Sequence, residues 1–215
     1  FGTTAATGKI GGGANFNGVS QYIRGPAINV GTDGFTLQCW RSVAMAGVLL
    51  CDRKGNSPTS AQFNWLPLGT SPTCLFVQST LARSFQSAPS GWGAVACTWA
   101  ANVARFFANG VQDPARGKTL ATTPIYDAAA PVLFGVQNLA NKNSYYQGVM
   151  DEVRISSIAR SPDWLNFEYR NQADAGNCLT WGAEESAAGG VVSPILRTAI
   201  LHSRIVGSSI VQGMI

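Results

Sequence analysis

Short apolar runs that alternate with polar residues dominate the chain. The stretch from Phe35 to Trp40 alternates with a period of two and places Phe35, Leu37 and Cys39 on one face of a strand. Further runs, bounded by Gly, Pro, Asn and Ser, predict strands at 48–51, 63–65, 74–77, 95–99, 103–107, 111–112, 132–134 and 148–155. Asn109-Gly110 lies between two of these runs and is a strong signal for a two-residue hairpin. The pattern therefore predicts an all-β, antiparallel sandwich of the jelly-roll kind.

One segment near residue 162 has helical signals instead. Ser161 is a good N-cap, Pro162 fits the first helical position, and Asp163 suits the helix dipole. Trp164, Phe167 and to a lesser extent Leu165 predict the apolar face of a short helix lying over the sandwich. Residues 1–15 and 183–190 are rich in Gly, Ala and Thr and predict extended or linker segments.

Composition excludes several classes of protein. Only 12% of the 215 residues are charged, and the net charge of +4 comes from basic residues scattered along the chain, so we expect no nucleic-acid partner. No apolar run reaches the roughly 20 residues of a membrane span. The 5 cysteines lack C-x-x-C spacing and there is 1 histidine, which excludes a zinc site. Cys39 and Cys97 follow the apolar phase of their strands and are predicted to be small buried hydrophobes.

Five motifs follow one another along the chain: Gly8–Gly18 with Gln21–Ile23, Phe35–Trp40, Trp92–Gly110, Gly148–Ile155 and Ala159–Trp164. In this order they resemble the laminin G-like branch of the concanavalin A-like lectin/glucanase jelly-roll superfamily, in particular its bacterial and phage members. The resemblance spans about residues 8–182 and implies a jelly-roll domain over 1–182. The strand that usually precedes the first motif is missing here or reduced to residues 1–4.

The resemblance also implies a loop after the first motif where relatives can carry a cation. Asn17 and Gln21 stand where the family pattern has acids, which removes two charges from that loop. Calcium needs six to eight oxygen ligands including carboxylates, and the remaining candidates, Asp33, Asp127 and Asp151, are far apart in sequence. We therefore expect no metal and no cofactor, with calcium as the alternative.

The adjacent acids Asp151 and Glu152 are the other candidates for chemistry. Strand alternation predicts Val149, Asp151, Val153 and Ile155 on one face and Met150, Glu152 and Arg154 on the other. Two acids on opposite faces do not converge on one bond, as acid/base catalysis requires. We expect an architectural role in which Glu152 and Arg154 pair side by side or cap neighbouring loops, with a metal ligand or a catalytic group as the alternatives. His202 lies in the C-terminal tail, so the sequence predicts no catalytic residues and no enzyme.

A binding role needs aromatic platforms and amides on rim loops. The candidates for a glycan site are the following residues: Trp65, Tyr126, Asn141, Asn143, Tyr145 and Tyr146. Packing in the core or at the rim is the alternative explanation for each aromatic residue.

The C-terminal segment predicts an assembly contact. After a hinge at 183–190, the arm 191–215 carries apolar residues that recur about every five positions: Ile195, Leu196, Ile200, Leu201, Ile205, Val206, Ile210 and Val211. β-Branched apolar pairs suit an extended arm that docks on a neighbouring subunit, and folding back onto its own sandwich is the alternative.

Two functions follow as expectations. The first is a structural or decoration protein on the surface of a virion or another extracellular assembly, anchored through the arm. The alternative is a secreted or cell-surface glycan-binding adhesion module.

Overall fold

The structure, a computed structural model, describes residues 2–42, 50–53, 61–68, 71–77, 80–83, 91–114, 118–119, 122–137 and 144–174. All of them lie within the compact unit Phe1–Leu179. The predicted hinge at 183–190 and the arm at 191–215, with all eight of its assembly-contact residues, lie outside the described residues. Those assignments, and the domain boundary at residue 182, stay predictions.

The described residues form strands and one α-helix. The elements are β1 (Thr4–Thr7), β2 (Gly12–Asn17), β3 (Ile23–Arg24), β4 (Gly34–Arg41), β5 (Leu50–Arg53), β6 (Ala61–Leu68), β7 (Ser71–Val77), β8 (Thr80–Arg83), β9 (Gly93–Ala100), β10 (Val103–Ala108), β11 (Val111–Gln112), β12 (Lys118–Thr119), β13 (Val132–Phe134), β14 (Gln147–Ser156) and α1 (Pro162–Ala173).

The strands build two antiparallel sheets. Sheet A has the order β1-β2-β14-β4-β9-β10-β11, with β12 also paired to β10. Sheet B has the order β3-β13-β5-β6-β7-β8. The chain crosses between the sheets several times, as in a jelly roll, so the predicted fold class is confirmed.

One hydrophobic core joins the inner faces of the sheets. Phe35, Leu37 and Cys39 of β4 are all buried in it, as their alternation predicts. Sheet B contributes Phe63 and Trp65 from β6. The thiols of Cys39 and Cys97 are free and buried, which confirms that they act as small core hydrophobes.

The Asn109-Gly110 hairpin forms as predicted. Asn109 and Gly110 have φ values of 50° and 74°, and Ala108 pairs with Val111 across the turn. Positive φ at both central residues defines the tight turn that suits the twist of the strands.

The N-terminal segment is extended, as predicted, but it also contains the strand before the first motif that was expected to be missing or reduced to residues 1–4. Residues 4–7 and 12–17 are strands that pair with each other, and β2 continues sheet A by pairing with β14. Gly and Ala weaken the local strand signal, and cross-strand pairing overrides it.

Helix α1 begins as predicted, because the Ser161 hydroxyl accepts the N–H of Trp164. Its buried face is different from the prediction. Leu165 is buried against Ala96 and Phe107 with Trp164 partly buried beside it, whereas Phe167 is 51% exposed. The prediction for Phe167 is wrong, because the helix turns so that Tyr169 stacks on Trp40.

A β-bulge in β14 changes the predicted alternation. Asp151 pairs with Trp40 and Arg154 with Gln38, so β14 has one extra residue at this point. Glu152 takes a φ of 49° there. The bulge places Met150, Val153 and Ile155 on the core side together, which corrects the prediction that Met150 lies opposite the other two.

Candidate functional site

Loops at one end of the sandwich form a surface that we call the tyrosine rim, made of residues 17–22, 135–137 and 144–147. Its first loop follows β2 and is shaped by Asn17. The side-chain oxygen of Asn17 accepts the N–H groups of Val19, Ser20 and Gln21 at 2.9, 2.9 and 3.2 Å. A short polar side chain that hydrogen-bonds the following backbone in this way fixes a tight loop.

Strand β13 brings the two tyrosines of the rim together. Ile23, directly after Tyr22, pairs with Phe134, and Tyr146, directly after Tyr145, donates its N–H to the carbonyl of Gly135 at 2.9 Å. Both Tyr22 and Tyr145 are half-buried. Burial raises the pKa of Tyr145, and the nearby hydroxyl of Tyr22 raises it further.

The tyrosine rim has no charged residue. Residues 17–22, 135–137 and 144–147 contain no Asp, Glu, Lys, Arg or His. Its polar groups are amides and hydroxyls. Among them, the Ser144 hydroxyl donates to Oε1 of Gln137 at 3.5 Å. Val19 is 72% exposed on the same rim and adds an apolar contact.

The structure separates the predicted ligand-binding residues into three groups. Trp65 and Tyr146 are fully buried in the core, so no ligand reaches them from the surface and their prediction is wrong. Tyr145 lies on the tyrosine rim, and Tyr126 is 44% exposed on the segment that enters β13 at the opposite end from the rim. Asn141 and Asn143 lie outside the described residues.

Tyr22 is a rim residue that is not among the binding residues predicted from the sequence. The family motif contains it, since Gln21–Ile23 resembles the end of the first motif, but nothing local connects it with Tyr145. The two residues meet because β3 and the 144–147 segment both bond to residues around Gly135.

The acid pair Asp151-Glu152 is placed by the bulge. Asp151 is 7% exposed, and its Oδ2 accepts the N–H of Ile10 while Oδ1 accepts the N–H of Glu152, each at 2.8 Å. Both carboxylate oxygens of Asp151 thus accept hydrogen bonds from backbone N–H groups. These contacts agree with the architectural role predicted for Asp151.

Glu152 belongs to a second polar cluster, between β14 and α1. Arg154 bonds Glu152 at 2.6 Å, as predicted, and also bonds Glu168 of α1. Trp40 donates its indole N–H to the side-chain oxygen of Gln172 near the end of the helix. The Nζ atom of Lys9 lies 5.2 Å from the centre of the Trp40 ring. The cluster fastens α1 to the outer face of sheet A.

The acids named as calcium candidates are not brought together as a metal site. The Oδ1 of Asp127 accepts the N–H of Ala129, Asp151 holds Ile10, and Asp33 is exposed near the start of β4. Among the described residues, no three or more His, Cys, Asp or Glu side chains are grouped to hold a metal ion. Within the same residues, no helix has the length and apolar character needed to cross a bilayer.

A family model described as the concanavalin A-like lectin/glucanases superfamily matches residues 17–166. The match covers well over half of the chain, and the chain therefore belongs to this superfamily. No curated protein sequence matches the chain.

Solved structures share the fold. Domain 4 of AbnA, a GH43 extracellular arabinanase from Geobacillus stearothermophilus, was solved in complex with arabinotriose. It superposes with a TM-score of 0.63 at 22% identity, over 77% of this chain and 80% of that one. The binding domain of Paraclostridial Mosquitocidal Protein 1 gives a TM-score of 0.59 at 12% identity, over 79% and 46%.

Trypanosoma rangeli sialidase, in complex with 2,3-difluorosialic acid, gives a TM-score of 0.56 at 14% identity, over 81% of this chain and 30% of that one. This chain thus spans less than half of the mosquitocidal and sialidase structures. The fold is shared by enzymes and binding domains and does not by itself assign a reaction.

Proposed function

We propose that the chain is a non-catalytic glycan-binding domain of an extracellular protein, with the tyrosine rim as its binding site. The observation that carries the proposal is that the backbone pairing around Gly135 brings the loops of two half-buried tyrosines, Tyr22 and Tyr145, side by side, and that the other polar groups of these loops are amides and hydroxyls.

These side chains suit a sugar. A tyrosine offers a flat apolar face and a polar tip with little loss of conformational entropy on binding. Amide and hydroxyl groups donate and accept hydrogen bonds, as sugar hydroxyls do. The Asn17 hydrogen bonds hold the first loop in place before any ligand arrives, which reduces the cost of ordering it.

Similar structures support the proposal at the level of the fold. One is a domain solved with arabinotriose, and another is described as a binding domain. At these identities the support is an analogy of architecture, and the residues of the rim carry the argument for the site.

The state of the acids supports a non-catalytic role. Asp151 uses both carboxylate oxygens on backbone N–H groups, and Glu152 and Glu168 are both bonded to Arg154. Hydrolysis of a glycosidic bond needs two carboxyl groups that face the same bond across a space for the substrate. The cluster instead holds a helix.

A glycan array probed with the full chain tests the proposal, and calorimetry then measures the ligands it finds. Tyr145→Ala is expected to weaken binding about tenfold or more, as for a central aromatic contact. Phe167→Ala removes an exposed aromatic side chain from α1, away from the rim, and serves as the control. Absence of binding to any glycan, or release of shortened sugars from a bound ligand, would contradict the proposal.

A second candidate function concerns assembly. We infer from the apolar arm at 191–215 that the chain also belongs to a larger extracellular particle, a virion among the candidates, which it joins through a neighbouring subunit. The supporting observation is the recurrence of β-branched apolar residues such as Ile195, Ile200 and Ile205 after a Gly/Ala-rich hinge.

Deletion of residues 190–215 tests the arm. The truncated chain should stay folded and lose its place in the oligomer or particle, as measured by native mass spectrometry beside the full chain. Normal assembly without the arm, or unfolding of the truncated chain, would overturn this inference.

A further inference from the structure

The first loop of the tyrosine rim is built without a cation. The Oδ1 atom of Asn17 has two lone pairs, and three backbone N–H groups already point at it within 3.2 Å. An oxygen used in this way has no lone pair for a metal ion. In this chain the hydrogen bonds of the Asn17 amide organise the loop.

Gln21, the second amide in place of an acid, has a similar role. Its side-chain nitrogen donates to the carbonyl of Gly2 and ties the N-terminal segment to the loop. Its side-chain oxygen is buried, with no hydrogen-bond partner within the described part of the chain. One amide oxygen does not make a calcium site, which takes six to eight oxygens with carboxylates among them. The rim residues supply no carboxylate, so they do not fit calcium.

The same lack of charge limits the class of ligand. Proteins recognise carboxylate, sulfate and phosphate groups chiefly with Arg and Lys. The residues of the rim include neither. Arg24 is exposed on β3 two positions after Tyr22, just beyond the rim, and Lys142, in the neighbouring 138–143 stretch, lies outside the described residues. An anionic group that is desolvated against the rim residues themselves would lose its water without gaining a charged partner from them. Uncharged sugar hydroxyls both donate and accept hydrogen bonds, as the amides and hydroxyls of the rim do.

We propose that the tyrosine rim takes an uncharged glycan and does so without a bound cation. The inference rests on the proposed glycan-binding function and specifies its ligand class and its independence of metal. Tyr22 and Tyr145 supply the apolar faces, and Ser144, Gln137 and Gln147 supply hydrogen bonds.

Calorimetry on the full chain tests both parts. The probes are neutral trisaccharides, arabinotriose and cellotriose among them together with the neutral hits of the array, and sialyllactose as an acidic probe. Each is measured in EDTA and in calcium chloride. For at least one neutral glycan we expect a Kd that changes by less than about twofold between the two buffers and rises about tenfold or more in Tyr22→Ala and Tyr145→Ala.

Further variants keep the test independent of folding. Tyr145→Phe retains the ring and should lose less affinity than Tyr145→Ala, and Phe167→Ala should bind as the natural chain does. Binding that disappears in EDTA, or a Tyr145-dependent preference for sialyllactose, would overturn this inference and leave the glycan-binding function standing. Absence of glycan binding in every buffer would overturn both.

Discussion

Asp151 forms a hydrogen bond with Ile10, although 141 positions separate the two residues in sequence. Its Oδ2 atom accepts the N–H of Ile10 at 2.8 Å. The other oxygen, Oδ1, accepts the N–H of Glu152 at 2.8 Å and fixes the bulge. One buried carboxylate thus fastens the β1–β2 turn to the centre of sheet A.

The Asp151→Asn variant tests this role. An amide has one oxygen, so its NH2 group would face one of two backbone N–H donors, and a buried donor left unpaired costs about 1–3 kcal/mol. We expect the free energy of unfolding in urea to fall by that amount with no change in glycan binding at the rim. Asp33→Asn removes the same charge from an exposed position and should change stability little. Lost binding at unchanged stability would contradict the architectural role.

The orientation of α1 predicts which of its apolar residues stabilise the fold. Leu165 is 4% exposed against Ala96 and Phe107, and truncating it to Ala should cost about 2–5 kcal/mol through lost burial and the cavity left behind. Phe167 is exposed, so Phe167→Ala should cost less than about 0.5 kcal/mol. Thermal or urea unfolding of the two variants compares them directly. A larger loss for Phe167→Ala would show that the helix packs with the face expected from sequence.

Gly135 connects the core with the tyrosine rim. Its φ is 80°, and a Cβ at this position would lie 2.5 Å from the Phe16 ring. Gly31 has a φ of 78° with open space around a Cβ, so Gly31→Ala measures the backbone cost alone. Gly135→Ala should destabilise the protein by about 1–3 kcal/mol more than Gly31→Ala, because it also overpacks the core. Equal losses would mean that Phe16 moves aside freely.

Buried thiols predict a loss of stability at alkaline pH. Burial raises the pKa of Cys39 to about 12, with nearby Arg41 lowering it in part, and burial also raises the pKa of Cys97. A thiol with a raised folded-state pKa stabilises the fold fully below its unfolded pKa of about 9, and this contribution is lost as pH rises toward 12. The slope reaches about 1.4 kcal/mol per pH unit for one such thiol.

Urea unfolding between pH 8 and pH 11 measures the effect. The urea concentration at the midpoint of unfolding should decrease as the pH rises above about 9. A variant with both Cys39→Ala and Cys97→Ala should be less stable at pH 8, and its stability should decline less steeply with pH. Part of the remaining slope comes from buried Tyr146, whose pKa is also raised. An identical slope in that variant would show that the thiols do not cause the decline.

The sequence alone determined the elements whose signals are local. Alternation along β4, the Asn109-Gly110 turn and the Ser161 cap each depend on neighbouring residues, and all three formed as predicted. The order of the family motifs also predicted the jelly-roll topology, because members of the family with this order of motifs pair their strands in the same way.

Only the tertiary structure decided which side chains meet. Tyr146 is adjacent to Tyr145 yet buried in the core, and Trp65 is a core residue although it was a candidate for the glycan site. The bulge at Glu152 reverses the faces of β14, and α1 turns so that Leu165 faces the sheet. Tyr22 and Tyr145 share a rim because both neighbour Gly135. Such contacts depend on packing between distant segments, whose energies local patterns do not contain.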